Sequence, residues 1–487
     1  MKKLLLFFLV VFSLGFLGCH DDEGMPVPKG AESGGGSKIR TVAEAERIAL
    51  DAADEFFSEG TSRGAGRSVG RVKVVRSKTA SRSTGSDTLL YIVNYADEQG
   101  FAVIAANPDI EPVMAVTEQG SYDPAAGSDC PGVEIFMTLA QSYVDAASYG
   151  FAGTFPEWRD TVRDDSLAWG GSFINPPGKD TIGIDPNPQP YIPPGGGGGG
   201  GQTPMQTKET DEYIWFQKVE PRVAVRWGQS PPLGEFCRNY TVGCAPLAIA
   251  QVMSYFKHPT SFSGTYKEYS NRAQPVTEQY HSFTVSWDYV VKHLSSYIDN
   301  GDCPCWYYSE YDIHNALSRL GCHIGYFSGL KDSDYTYGSN GSPETGSTVD
   351  KTRNALKKYG YTVSEECAYK SGDSDKIGAG LILMVGNNVS SDNKGVGHMW
   401  VLDGVRRYNV KHTVYIREKD SDPWKVSLQH TYRYHMNHFN WGWDGRNNGW
   451  FNDNVFNIHR YMSDDCEQKR PDQLDFSKDV KYVTVTR

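Results

Sequence analysis

The sequence predicts two α+β domains that are joined by a linker rich in proline and glycine. In the N-terminal part, one helix-like segment precedes three strand-like runs. In the C-terminal part, aromatic and strand-forming residues are abundant, and a helical pattern follows Cys244. Between the two, residues 175–204 contain eight prolines and the seven consecutive glycines Gly195–Gly201. This composition is typical of an exposed linker.

Length and composition limit the class of protein. The 487 residues are enough for about three domains of roughly 150 residues each. A hydrophobic content of 39% excludes a mostly disordered chain. The formal charge is −11, from 48 basic and 59 acidic residues, and no long basic run offsets it. We therefore expect no nucleic-acid partner.

The N-terminus has the pattern of an export signal. Lys2 and Lys3 precede the apolar run Leu4–Leu17, which is shorter than the roughly 20 residues that a membrane-spanning helix needs. Residues Phe16–Cys19 resemble a bacterial lipobox, with Phe16 in place of the usual leucine. The acidic stretch after Cys19 resembles the surface-export signal of Bacteroidetes lipoproteins. A plain secretory signal with a chance cysteine is the alternative.

We accordingly expect residues 1–18 to be a signal peptide, Cys19 to be lipidated, and residues 19–38 to be a tether. The lipid would anchor the protein to the outer membrane or the cell surface, with release to the medium after maturation. In either interpretation of the signal the protein leaves the cytosol, so disulfides are permitted.

Residues 39–165 are predicted to form the small N-terminal α+β domain. Thr41–Ser58 is expected to be a helix, because its apolar residues recur at helical spacing and Thr41 and Glu44 fit a capping box. Residues 59–86 are rich in serine, arginine and glycine and are expected to be mobile, at least in part. The predicted strands are Thr88–Tyr95, Phe101–Ala106 and Val113–Thr117.

Cys244 is the candidate nucleophile. A helical pattern runs from Cys244 to about Pro259, and Pro246 suits the first turn of a helix. The dipole and the free amide groups at a helix N-terminus favour a thiolate, so a lowered thiol pKa is expected. A buried structural cysteine at the start of a core helix is the alternative.

Two further motifs supply a candidate imidazole and a candidate amide. The stretch Gly397–Gly404 places His398 at the start of an apolar strand, where a structural histidine is the alternative. The stretch His438–Gly445 contains Asn440, whose amide oxygen can orient an imidazole, and Trp441, which can shield that hydrogen bond from water. A tryptophan-rich core hairpin is the alternative for this motif.

Together the three motifs favour catalysis by a thiol. Such a site needs a thiolate, a histidine as acid and base, a group that orients the histidine, and donors to an oxyanion. The order fits papain-like enzymes, because His398 follows Cys244 by 154 residues and Asn440 follows by another 42. Gln229, 15 residues before the cysteine, is placed to donate to an oxyanion hole. His438 is a competing candidate for the histidine.

These motifs resemble the streptopain family of cysteine proteases over roughly residues 205–460. The matching stretches are Gly243–Ala245 with the helix that follows, Gly397–Gly404, and Asn440–Gly445. The resemblance implies a papain-like α+β catalytic domain over residues 205–487, in which the helix that carries Cys244 packs on an antiparallel sheet that carries His398 and Asn440.

The resemblance also implies functional roles. Cys244 would be the nucleophile, His398 the acid and base, Gln229 the oxyanion donor, and Asn440 with Trp441 the group that orients His398. The implied activity is that of a cysteine endopeptidase, which acts on proteins or peptides and needs no cofactor. The family prefers a hydrophobic residue at the second position before the scissile bond.

The N-terminal domain resembles the inhibitory prodomain of streptopain zymogens. The matching stretches are Leu89–Asn94, Gly100–Ala106, Pro112–Val113 and Gly120–Tyr122. The implied mechanism is self-inhibition, in which residues 39–165 cover or distort the active site until a cut in or after the segment 175–222 frees the enzyme. The linker itself is assigned to residues 166–204. An adhesive module or a spacer is the alternative for this domain.

The remaining cysteines leave several pairings open. Six of them lie in the predicted catalytic domain and can form up to three disulfides with 15 connectivities. They are Cys237, Cys303, Cys305, Cys322, Cys367 and Cys466. Their spacing, with His323 beside Cys322, matches no standard zinc site, so no metal is expected. Two rival functions remain open: acyl transfer to amines, as in transglutaminases, and a catalytically silent surface lipoprotein that binds other molecules on a protease scaffold.

Overall fold

A computed structural model describes most of both predicted domains. The described residues are 39–57, 66–77, 87–148, 206–269, 277–293, 295, 308–337, 343–388, 396–456 and 480–487. The predicted signal peptide, the tether with Cys19, and the linker 166–204 lie outside these residues. Cys303, Cys305 and Cys466 also lie outside them.

The predicted helix and strands of the N-terminal domain are confirmed. Helix α1 spans Val42–Phe57 and begins with the expected capping box, in which the Glu44 N–H donates to Thr41 Oγ1 at 3.2 Å and the Thr41 N–H donates back to the Glu44 carboxylate. Three strands follow the predicted positions closely. They are β2 (Thr88–Tyr95), β3 (Phe101–Ala105) and β4 (Val113–Thr117).

The structure adds two elements that the sequence patterns did not reveal. Strand β1 (Val69–Arg76) lies within residues 59–86, so the expectation of a mobile segment is wrong for this stretch. Among the described residues, β1 is an edge strand that pairs with β2 alone, and its alternating basic residues hide its strand character. Helix α2 (Pro131–Ser148) follows β4 and completes the domain.

The C-terminal domain begins with a strand and then the helix that carries Cys244. Its elements are β5 (Gln206–Val219), α3 (Cys244–Phe256), β6 (Ser261–Tyr266), β7 (Gln279–Thr284), α4 (Trp287–His293), α5 (Tyr308–Phe327), β8 (Tyr335–Tyr337), β9 (Pro343–Thr345), α6 (Val349–Lys358), β10 (Thr362–Val363), β11 (Cys367–Ala368), β12 (Leu381–Asn388), β13 (Val396–Arg417), β14 (Lys425–Asn440), β15 (Gly449–Asn452) and β16 (Lys481–Thr486). The helix from Cys244 and the strand from His398 agree with the predictions.

One antiparallel sheet runs through both domains. Its strand order is β1-β2-β3-β4-β15-β14-β13-β12-β16-β10, with β11 paired to β16 and β5 paired to β13. The two domains meet where β4 pairs with β15, through Thr117 opposite Gly449, Val116 opposite Trp450 and Ala115 opposite Phe451. The N-terminal domain is thus attached to the C-terminal domain by backbone pairing as well as by side-chain packing.

Side chains alternate between the two faces of this sheet and join different cores. On β2, Leu90 and Ile92 belong to a core with α2, whereas Tyr91 and Val93 belong to a core with α1. On β13, Trp400 and Leu402 join the core with α2, and Met399 and Val401 join a third core that is built around α3. Helix α2 therefore covers the face of β13 opposite to α3.

Strand β5 is bound to the outer half of β13. It pairs antiparallel with β13 from Val219 opposite Val405 to Gln206 opposite Arg417. The same half of β13 pairs with β14 along its other edge, so β5, β13 and β14 form a three-stranded part of the sheet. In the described parts of the chain, no helix is long and apolar enough to cross a membrane.

Candidate active site

Helix α3 carries Cys244 to the start of strand β13. Residues Ala245 to Ser254 of the helix are buried, and the helix packs against Met399 and Val401 in the same core. The backbone N–H groups of Met399, Ala245 and Cys244 itself lie near the Cys244 thiol and favour its thiolate form. Met399 follows His398 directly, so the structure brings two of the predicted site residues to one place.

Gln229 is held close to the same site by its backbone. The Val242 N–H donates to the Gln229 carbonyl at 2.9 Å, and Val242 lies two residues before Cys244. This bond closes the segment Gln229–Gly243 into a loop whose two ends are adjacent. Gln229 itself is only partly buried, so its amide is available at the entrance to the loop.

His398 is buried, with 2% of its surface exposed. Its Nε2 lies 2.8 Å from the Trp441 carbonyl oxygen. Because a carbonyl oxygen can only accept, Nε2 carries the proton and Nδ1 keeps a free lone pair. The Trp400 and Trp443 rings surround the imidazole, with centroids 6.2 and 5.8 Å away, and they exclude water from it.

The predicted role of Asn440 requires a contact with the His398 imidazole, but its hydrogen bonds go to other groups. Its Oδ1 accepts from Gln251 Nε2 at 2.8 Å and from the Gly442 N–H at 3.2 Å, and its Nδ2 donates to the Val225 carbonyl at 2.8 Å. Among the described contacts, the partner of His398 is the backbone of Trp441 and not this amide. Asn440 ties β14 to the helix of Cys244, and direct orientation of His398 by Asn440 is not seen in this structure.

The N-terminal domain covers the candidate site with the first turn of α2. Gly132 lies so close that a β-carbon built on it would be 2.3 Å from Trp441 Cε3 and 2.9 Å from His398 Cδ2. Any residue other than glycine would displace one of these rings or the helix. The backbone of α2 therefore occupies the space above His398 and Trp441 that a substrate would need.

Desolvation favours the neutral forms of both reactive groups. It lowers the pKa of His398 to about 4, although the bond to the Trp441 carbonyl opposes this effect. Burial also raises the pKa of the Cys244 thiol, against the three backbone donors that favour its thiolate. The lowered thiol pKa expected from the helix N-terminus is therefore wrong for this state, because desolvation outweighs the helix amides.

A partly buried group of charges joins the two domains next to the site. Glu118, which follows β4, accepts from Arg226 at 2.8 Å and lies 3.2 Å from His438 Nε2. Burial alone would lower the pKa of His438, but Asp403, 2.6 Å from Nδ1, and Glu118 raise it to about 9. The same contacts lower the pKa of Glu118 to about 2 against the effect of burial. His438 thus binds the N-terminal domain, and its contacts do not place it beside Cys244.

Three residues of this arrangement escaped the sequence analysis. Gln251 had a usable signal, because it is a polar residue in the otherwise apolar run of α3. Gly132 and Glu118 had none, because their roles depend on how the N-terminal domain meets the C-terminal domain. No group of three or more histidine, cysteine or acidic side chains suited to a metal occurs among the residues that the structure describes.

Comparison with known families agrees with this geometry. Residues 227–451 match the model of the Peptidase C10 family. The chain carries a C10-family cysteine peptidase domain. Residues 40–144 match the model described as a Spi protease inhibitor. The protein is therefore a self-inhibited cysteine peptidase of the streptopain family, in which the N-terminal domain is the inhibitor and the C10 domain is the enzyme.

Two solved structures from Prevotella intermedia are similar to the chain. One is a fragment of prointerpain A that carries a cysteine-to-alanine substitution, with 17% identity and a TM-score of 0.43, covering 85% of this chain and 98% of the solved chain. The other is active interpain A, a cysteine protease, with 18% identity and a TM-score of 0.34, covering 55% of this chain and 95% of the solved chain. No curated protein matches the sequence significantly.

We expect removal of the inhibitor domain to change the pH profile of Cys244 alkylation. In the intact chain the thiol pKa is raised, so reaction with iodoacetamide should rise only above the ordinary thiol pKa of about 8.5. In the C10 domain alone, the site should be more accessible to water and the profile should shift to lower pH. Peptide mass spectrometry would quantify labelling of Cys244 in both forms.

Exposed Cys367 is the internal control and should give the same profile in both forms. The comparison uses the position of the profile along the pH axis, because a purely steric block by the inhibitor would change the rate without moving the profile. Coinciding profiles for Cys244 would contradict the desolvation argument.

Proposed function

We propose that Cys244 is the nucleophile of this peptidase and His398 its general acid and base. The observation that carries the proposal is the position of the Cys244 thiol near the Met399 N–H, because Met399 directly follows His398 in the chain. The free lone pair on His398 Nδ1 is available to take the thiol proton once the inhibitor domain has left.

In this mechanism the Cys244 thiolate attacks the scissile carbonyl carbon. The developing oxyanion is stabilised by the Cys244 N–H, which lies at the start of α3, and by the side-chain amide of Gln229. His398 then protonates the leaving amine, and the thioester that remains on Cys244 is hydrolysed by water. The Trp441 carbonyl and the buried amide pair of Asn440 and Gln251 hold the imidazole and the helix in register.

We further propose that the chain is activated by a cut before Gln206. Strand β5 begins at Gln206 and pairs along the outer half of β13, so a cut within it would remove a strand from the peptidase sheet. The earlier limit is Ser148, where α2 ends. Residues 149–205 thus contain the proposed cleavage site. This range excludes residues 206–222, which the sequence analysis had allowed.

Replacing Cys244 by Ala is expected to abolish both peptide hydrolysis and self-cleavage without unfolding the chain. Purified wild type and Cys244→Ala would be incubated with casein and with an epoxysuccinyl inhibitor, and mass spectrometry would locate adducts, cuts and any new isopeptide bonds. Cys367→Ala is the matched control and should behave as wild type. Isopeptide products would favour the acyl-transfer function, and no adduct after removal of the inhibitor would favour a silent binding protein.

In the same assay, Gln229→Ala should lower kcat by roughly 10²–10³. Gln429→Ala, on the exposed outer part of β14, should not change kcat. Unchanged turnover of Gln229→Ala would remove Gln229 from the oxyanion hole.

A single methyl group at Gly132 should weaken the self-inhibition. Alanine is intrinsically better than glycine in a helix by up to about 1 kcal/mol, so α2 itself should not suffer. The clash with Trp441 and His398 should instead push α2 off the site. We expect Gly132→Ala to show activity as the uncut chain, measured with a small fluorogenic peptide at short times.

Ser142→Ala, on the same helix, is the control and should remain latent. Activity in Gly132→Ala no higher than in this control would show that the contact with Gly132 does not maintain latency.

We also propose that the protein is exported as a lipoprotein anchored through Cys19. The proposal is supported by the signal-like residues 1–18 and the lipobox-like stretch Phe16–Cys19. Metabolic labelling with an alkyne fatty acid should mark wild type, and Cys19→Ser should lose both the label and membrane fractionation. Cys130→Ser is the control. Equal labelling of Cys19→Ser and wild type would contradict the proposal.

A further inference from the structure

Two cysteines of the C10 domain face each other in its core. Cys237 Sγ and Cys322 Sγ are 3.4 Å apart, and the two residues are 2% and 7% exposed. Cys237 lies in the loop Gln229–Gly243 that precedes the nucleophile, and Cys322 lies on α5. A disulfide needs a sulfur–sulfur distance of about 2.05 Å, so closing the pair takes a movement of little more than 1 Å.

Other contacts hold this loop on the same face of α5. Ser318 Oγ donates to the Pro232 carbonyl at 2.8 Å, and a β-carbon built on Gly321 would lie 2.0 Å from the Leu233 carbonyl oxygen. Positions 318, 321 and 322 lie within about one helical turn of each other, so they form one contact strip. The short distance between Cys322 and Cys237 is therefore one of several close contacts between α5 and the loop.

We propose that Cys237 and Cys322 form a disulfide that fixes the loop between Gln229 and Cys244. The bond would cross-link residues 85 positions apart and anchor the middle of the loop to α5. The ends of the loop are already joined by the bond from Val242 to Gln229. The disulfide would thus restrict the motion of the oxyanion donor relative to the nucleophile without using Cys244.

The oxidation is a thiol–disulfide exchange with a disulfide donor, such as oxidised glutathione or an oxidised protein dithiol. One cysteine, as its thiolate, attacks the donor disulfide and releases one donor thiol. The second cysteine, also as its thiolate, then displaces the other donor thiol from the mixed disulfide. Two protein thiols are oxidised and one donor disulfide is reduced to two thiols. Burial raises the pKa of Cys322, so the exchange should occur while the chain folds and not afterwards.

The test is to map the cross-link after refolding. The chain from residue 20 onward, which retains every described residue and carries Cys244→Ala to prevent self-cleavage, would be refolded with either oxidised and reduced glutathione or reductant alone. After blocking with N-ethylmaleimide and digestion without reduction, mass spectrometry should find the Cys237 and Cys322 peptides joined only in the oxidised sample. Free labelled Cys237 and Cys322, or a link to any other cysteine, would overturn the proposal.

Stability provides a second readout. Oxidation should raise the melting temperature by roughly 5–15 °C. The shift should vanish in Cys237→Ala/Cys322→Ala and persist in Cys130→Ala, a buried cysteine of the inhibitor domain. If the double variant fails to fold, the cross-link map of the chain that retains both cysteines still tests the proposal. A shift that persists in a folded double variant would also overturn the proposal.

Hydrogen exchange tests the effect on the loop itself. The Val242 amide should exchange at least tenfold more slowly in the oxidised form, whereas the Ala355 amide in α6 should not change. Equal exchange at Val242 in both forms would show that the bond does not fix the loop. None of these measurements uses peptidase activity, so they are independent of the catalytic roles proposed above.

Discussion

The register between β13 and β14 fixes the geometry of the catalytic site. Val401 lies opposite Asn440, which brings the Trp441 carbonyl to the His398 imidazole. A slip by one residue would reverse the faces of the strand and move His398 away from this carbonyl. The amide of Met399, on the same strand, accounts for the position of the Cys244 thiol. The positions of His398 and of the Cys244 thiol therefore both depend on one stretch of backbone pairing.

The inhibitor domain contacts that same sheet in two ways, and both contribute to latency. The inhibitor domain extends it through the pair β4 and β15, and it places the first turn of α2 over its tryptophan-rich face. The charged contact of Glu118 with His438 and Arg226 fixes the domain beside the site. In this arrangement desolvation favours the neutral forms of both the Cys244 thiol and the His398 imidazole.

Sequence reasoning was accurate where the determining interactions are local. The capping box of α1, the strands of the inhibitor domain and the helix after Cys244 follow from residues that are neighbours in the chain. Strand β1 was missed because an edge strand with basic side chains lacks the apolar pattern of an inner strand. The raised pKa of Cys244 could not be predicted, because the burial that causes it depends on tertiary packing around the start of α3. The contact between His398 and the Trp441 carbonyl could not be predicted either, because strand register, and not motif spacing, determines which carbonyl meets the imidazole.

The pairing of β4 with β15 has a consequence for the protein once the linker is cut. The covalent bond between the domains is lost, but the strand pairs and the ring contacts, such as Phe136 with Phe451 at 4.8 Å, remain. Cleavage therefore converts an inhibitor held at the high effective concentration of a tether into a separate ligand. From that point, dilution of the nicked complex controls activity. Enzyme retained in a confined space would stay inhibited after cleavage, whereas enzyme that diffuses away would become active.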